Sequence, residues 1–139
     1  MQGSVTRCLG WLLGLGLAAN SLMMLGAPVL WYATVPGAGD TGPLNAHFVR
    51  DIGVAYLVCG ASLLWFTVQP SARPAAAMGA AFLALHALVH LWDGLAGREA
   101  AHRLLLDLPA VFLPAALAIG IAWLPLGRPA TQDRGVSVE

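Results

Sequence analysis

Apolar residues run through most of this 139-residue chain, and charged residues interrupt them only at wide intervals. The stretches 8–39, 52–72, 74–92 and 108–127 contain no charged side chain. A helix of roughly 20 residues, rising about 1.5 Å per residue, crosses a hydrocarbon layer of about 30 Å. Each stretch is therefore long enough for one crossing. Segments such as LGWLLGLGLAANSLMMLGAPVLW and IGVAYLVCGASLLWFTV are apolar all round, the pattern of helices set in lipid and not of surface helices. Backbone inside lipid must satisfy its own amides in a helix or a closed barrel, and the period-two alternation of barrel strands is absent. The pattern predicts an all-α fold: a four-transmembrane-helix up-and-down bundle in a single integral membrane domain. Its helices lie near 8–33, 46–68, 75–96 and 101–124, with a disordered tail near 128–139. Local signals support four boundaries: the Pro36-Gly37 turn, Asn45 as an N-cap, the Gln69-Pro70-Ser71 stop and Gly97 as a C-terminal terminator.

Composition agrees and narrows the function. Hydrophobic residues make up 58% of the chain and charged residues 10%, with a mean hydropathy of +0.73, which excludes an ordinary water-soluble domain. The formal net charge is zero and the arginines are dispersed, so the basic footprint of a nucleic-acid-binding protein is missing. Four crossings put both termini on one side. Arg7, Arg73, Arg128 and Arg134 fall there, against Arg50, Arg98 and Arg103 opposite, so the positive-inside rule makes the termini cytoplasmic. The first apolar stretch continues to Tyr32, too long for a signal-peptide core, and reads as a retained helix. Trp11, Trp31, Tyr32, Trp65, Phe66, Trp92 and Trp123 fall near span ends, where amphipathic rings anchor at the headgroups. Cys8 and Cys59 lie at different depths and read as small apolar residues, not as a disulfide. Pairs of small residues four apart, Gly10 and Gly14, Ala80 and Ala84, Ala116 and Gly120, suit close helix contacts or a dimer face. Pro109 and Pro114 predict a kink in the fourth span.

The chemistry-bearing residues form three groups: His47, Arg50 and Asp51; His86, His90 and Asp93; His102, Arg103 and Asp107. Up-and-down threading brings the start of the second span, the end of the third and the start of the fourth into one leaflet. His47 and Asp51 are four apart, and His86, His90 and Asp93 follow at four and three, so each set forms a stripe along its helix. Ionisable groups at such depth cost roughly 2.5–3.5 kcal/mol each unless paired or facing a cavity. Asp93, near the end of its helix, opposes the macrodipole and calls for compensation, by Arg50 or Arg103 across the interface or by a metal. Asp107, early in its helix, is favoured by the dipole and needs no partner. The connection 35–45, rich in Gly and Pro, suits either an ordered cap over the bundle mouth, the preferred reading, or a flexible exit loop.

His47, Asp51, His86, His90 and Asp93 supply imidazole and carboxylate ligands for a transition metal, zinc or iron, or for a haem. Arg50, Arg103, Asp107 and Asn45 would then act as ion-pair or outer-shell groups. HALVHLWD is not the zinc-protease motif, because Ala87 occupies the place of its general-base glutamate. His102 reads as a solvated loop residue. The competing readings of the same residues are a structural hydrogen-bonded and ion-paired network and a proton or small-molecule site.

The segment TGPLNAHFVRDIGVAYLVCG, with Asn45, Arg50, Gly53 and Gly60, resembles the DoxX-like group of small bacterial four-helix membrane proteins. The resemblance implies the four-helix architecture and a bacterial inner membrane. Some members resemble quinone-linked subunits of sulfur-oxidising enzymes. The histidine stripe lies outside that pattern, so architecture carries over and catalysis does not.

Three functions follow as expectations. The first is a membrane protein with a polar outer-leaflet pocket, metal- or haem-binding and redox-linked, which would need an acceptor such as a quinone. The second is a structural or accessory subunit of a membrane complex, or a homo-oligomer, with Arg50 paired to Asp93 and no catalysis. The third is a dimeric transporter, although the first span lacks the buried carboxylate of small four-helix exporters.

Overall fold

The computed structural model describes residues 2–98 and 102–124. Its helices are α1 (Gln2–Gly26), α2 (Pro28–Thr34), α3 (Ala46–Val68), α4 (Arg73–Leu95), α5 (Arg103–Asp107) and α6 (Leu113–Trp123). Short 3₁₀ turns occupy Ala38–Thr41 and Pro70–Ala72, and a π turn, Leu108–Phe112, joins α5 to α6. There is no strand among the described residues. The expected tail near 128–139 lies outside them.

Four units, Gly3–Gly26, Ala46–Val68, Pro70–Leu95 and Arg103–Trp123, are long and apolar enough to cross a membrane. They pack as a ring in which α1 contacts α3 and α6, and α4 contacts α3 and α6. Large apolar side chains such as Leu12, Leu22, Val58, Met78 and Leu85 point outward on α1, α3 and α4, a surface that suits lipid and not water. The all-α four-helix bundle is thus observed, and the protein is an integral membrane protein.

Proline explains where the helices depart from the simple pattern. The first span is not one helix over 8–33. Pro28 disfavours helical backbone at Ala27, whose φ of −139° and ψ of 58° break the chain before α2 begins with Pro28 in its first turn. In the fourth span Pro109 and Pro114 each remove a helical N–H, and the intervening backbone widens into the π turn. The buried positions Arg103, Asp107, Val111 and Ala115 step by four. On an ideal helix such a step drifts about 40° per turn; the wide turn absorbs part of that drift and keeps the four on the inner face.

Asn45 caps α3 as expected, its side-chain oxygen accepting from the N–H groups of His47 and Phe48, both at 3.1 Å. Gly97, at φ 67°, ends α4, with Arg98 N–H bonded to the Asp93 carbonyl at 3.1 Å and Gly97 N–H to Gly94 at 3.3 Å.

Small residues set the tightest contact, between α1 and α3. A Cβ on Gly60 would lie 2.8 Å from the Gly14 carbonyl oxygen, and Ser21 Oγ donates to the Gly53 carbonyl at 2.7 Å. Gly10 and Gly14 therefore serve this contact within one chain, while nothing lies within 4 Å of a Cβ on Gly120. Phe66 is fully buried and not an interfacial anchor: the Arg73 guanidinium sits 5.1 Å over its ring.

Candidate functional site

At the end of the bundle where α3 begins and α4 ends, the helices splay around a cavity of about 620 Å³. Its wall is aromatic and aliphatic on the α1, α2 and α3 side, with Met24, Trp31, Tyr32, Phe48, Val49, Ile52 and Tyr56. It is polar on the α4 and α5 side, with His86, His90, Asp93, Arg103 and Asp107. Trp31 is held in this wall by its indole N–H, which donates to Asn20 Oδ1 at 2.8 Å.

His90 Nδ1 lies 2.9 Å from Asp107 Oδ2, across the α4–α5 interface, and both side chains are largely withdrawn from solvent. An ionised carboxylate only accepts, so the hydrogen of this bond sits on Nδ1 and Nε2 keeps a lone pair. His86, one turn deeper, meets the His90 ring edge-on with centroids 4.7 Å apart. Its own ring stacks on Phe82 and takes the edge of Tyr56. An aromatic column thus holds the two imidazoles.

Arg103 is the second polar anchor. Its Nη1 donates to the Gly37 carbonyl at 2.5 Å and to Asp40 Oδ2 at 2.8 Å, with the arginine side chain 5% exposed and the aspartate 71%. The connection 35–45 is consequently drawn over the cavity, the cap that its composition suggested. Tyr32 Oη adds bonds to the carbonyls of Gly39 and Gly42.

The structure does not bring the five expected ligands together. His86, His90 and Asp93 line the cavity, but His47 and Asp51 face outward, at 86% and 60% exposure, and contact each other at 3.4 Å. No group of three or more His, Cys, Asp or Glu among the described residues is placed to hold a metal ion. The reason is helix rotation. The inner face of α3 carries Val49, Gly53, Gly60, Leu63 and Thr67, and a helix turns about 100° per residue, so positions two away from Val49 sit on the opposite side. His86 and His90 come from one helix with rings too close to clasp a haem between them.

The expected cross-helix pairing of Asp93 with Arg50 or Arg103 is also replaced. Asp93 binds Arg98 at 2.7 Å, and Arg50 Nε donates to the Leu25 carbonyl at 3.2 Å, at the C-terminus of α1 where the helix dipole favours a cation. A partner five residues along the chain orders less backbone than one on another helix. Reversing the charges of Arg50 and Asp93 together is accordingly expected to show no coupling in a denaturation cycle beyond about 0.3–0.5 kcal/mol. Recovery of stability in the double variant would restore the Arg50–Asp93 pair.

Asp107, read as needing no partner, is instead the centre of the site. Its spacing of four from Arg103 and from the inward Val111 was a signal that it faces the core. Tyr56 was missed as well, although a tyrosine in mid-span needs a setting for its hydroxyl. Asn45 lines the cavity while capping α3, and His102 is exposed.

Fold and site together define a class: a four-helix integral membrane protein with a capped, half-aromatic and half-ionisable cavity at one end of the bundle. No family model, no curated protein and no solved structure matches this chain.

Proposed function

We propose that this protein binds a small lipid-soluble molecule bearing an exchangeable hydroxyl, of the hydroquinone or phenol class, in the capped cavity, with that hydroxyl donating a hydrogen bond to His90. The observation that carries this reading is the His90–Asp107 bond inside a cavity whose other wall is aromatic. Asp107 accepts from Nδ1 and so orients the imidazole, while Nε2 offers the accepting lone pair. Rings such as Trp31, Tyr32 and Phe48 suit a flat apolar ligand. The architecture accords with the DoxX-like resemblance, and the same proposal places the cavity in the outer leaflet of a bacterial inner membrane with both termini cytoplasmic.

Titration of a short-chain hydroquinone into the protein in lipid nanodiscs, followed by tryptophan fluorescence, tests the reading. Saturable quenching is expected in the native chain and in His47→Ala. His90→Ala should weaken binding by about 3- to 10-fold, the factor that corresponds to a lost neutral hydrogen bond. Absence of saturable binding, or equal affinity in His90→Ala, would reject the proposal and leave the accessory-subunit reading, in which the same bond only locks α4 to α5.

A further inference from the structure

We infer that the connection 35–45 is a gate between the cavity and the aqueous face, and that Arg103 and Asp40 are its latch. Val35, Pro36, Gly37, Ala38 and Pro43 form the cavity's roof, whereas helices and the π turn form the rest of its wall. The roof does not rest on a packed core of its own: Gly39, Asp40, Pro43 and Leu44 are exposed. Polar contacts hold it instead, Arg103 to Gly37 and Asp40, and Tyr32 to Gly39 and Gly42.

The latch is asymmetric in a way that lets it open. The guanidinium is fixed inside the bundle, while the Asp40 carboxylate stands in water, where solvent and salt screen the pair. Release therefore exposes no acid that was buried. The 3₁₀ turn Ala38–Thr41 also carries a pivot at each end. Gly37 has φ 86° and Gly42 φ 124°, left-handed conformations that glycine reaches without strain. Gly37 serves the latch a second time, because a Cβ there would fall 2.4 Å from Arg103 Nη1. Only a bare backbone lets the guanidinium reach the Gly37 carbonyl.

The test needs no ligand, so its failure would leave the binding proposal standing. Val49 is buried beneath the roof and lines the cavity. In Val49→Cys protein carrying Cys8→Ser, reconstituted in sealed vesicles, a charged membrane-impermeant methanethiosulfonate reports access, with the labelled residue identified by peptide mass. Labelling is expected to be slow with the latch intact and about two- to fivefold faster with Asp40→Asn, the size of effect that loss of a partly exposed ion pair gives. Tyr32→Phe should shift it the same way. Added salt should speed labelling more when Asp40 is present than in Asp40→Asn. Buried Cys59 must stay unlabelled throughout as the mark of an intact bundle. If a variant fails that criterion, the salt series on the native latch decides. Rapid labelling with the latch intact, or a rate indifferent to Asp40, Tyr32 and salt, would overturn the gate.

Discussion

Replacing Gly60 with alanine is expected to destabilise the bundle by about 1–3 kcal/mol, the usual effect of forcing a methyl group into a filled contact. The added carbon would sit 2.8 Å from the Gly14 carbonyl oxygen, 3.1 Å from Ala18 N and 3.3 Å from Leu17 Cβ. Two of these neighbours are backbone and cannot rotate away, so α1 and α3 must separate. In lipid, contact between helices depends on close packing and interhelical hydrogen bonds more than on water exclusion. Separation would loosen the Ser21–Gly53 bond on the same seam. Gly120→Ala provides the opposite case: nothing lies within 4 Å of its added carbon, and α6 should gain roughly 0.5–1 kcal/mol from reduced backbone freedom. Thermal unfolding of both variants in one detergent should move the midpoint down for Gly60 and not down for Gly120. The reverse order would contradict the packing described for α1 and α3.

The second large effect is expected at Asp107. Asp107→Ala leaves the His90 N–H without its acceptor inside a largely buried site, and an unsatisfied buried donor typically costs about 1–3 kcal/mol. His90→Ala leaves the carboxylate unpaired in turn. The double variant should then lose less than the sum of the two, by about 1–3 kcal/mol, because each single change strands a partner that the double change removes. Additive losses would mean that the two side chains do not interact. Hydroquinone binding should weaken in either single variant, which separates a ligand-handling pair from one that only joins helices. Asn at position 107 can still accept from Nδ1, so Asp107→Asn should keep most of the stability.

The bundle was legible because a hydrocarbon layer imposes a length on every crossing, and the charge-free stretches report that length directly. The N-cap at Asn45, the terminator at Gly97 and the cap 35–45 were legible for a similar reason: each depends on residues close together in sequence. What the pattern could not supply was rotation of one helix against another. The spacing of His47 and Asp51 shows that they share a face of α3, but not which way that face turns. The packing of Gly53 and Gly60 on α1 decides it, and turns the pair outward. The same limit hid the partner of Asp107. Its position at a helix start suggested self-sufficiency, whereas the π turn built around Pro109 and Pro114 helps keep it on the inner stripe opposite His90. Asp93 was read as a cross-helix partner because its mismatch with the helix dipole is real; Arg98, just beyond the end of the same helix, resolves it locally.

Nitrogen NMR of isotope-labelled histidine in lipid bilayers tests most directly whether His90 and Asp107 form one unit inside the cavity. His90 should give a single tautomer with its hydrogen on Nδ1, and Asp107→Ala should abolish that preference while the outward His47 signal stays unchanged. A His90 that averages both tautomers as a solvated imidazole does, and that does not respond to Asp107→Ala, would contradict the site.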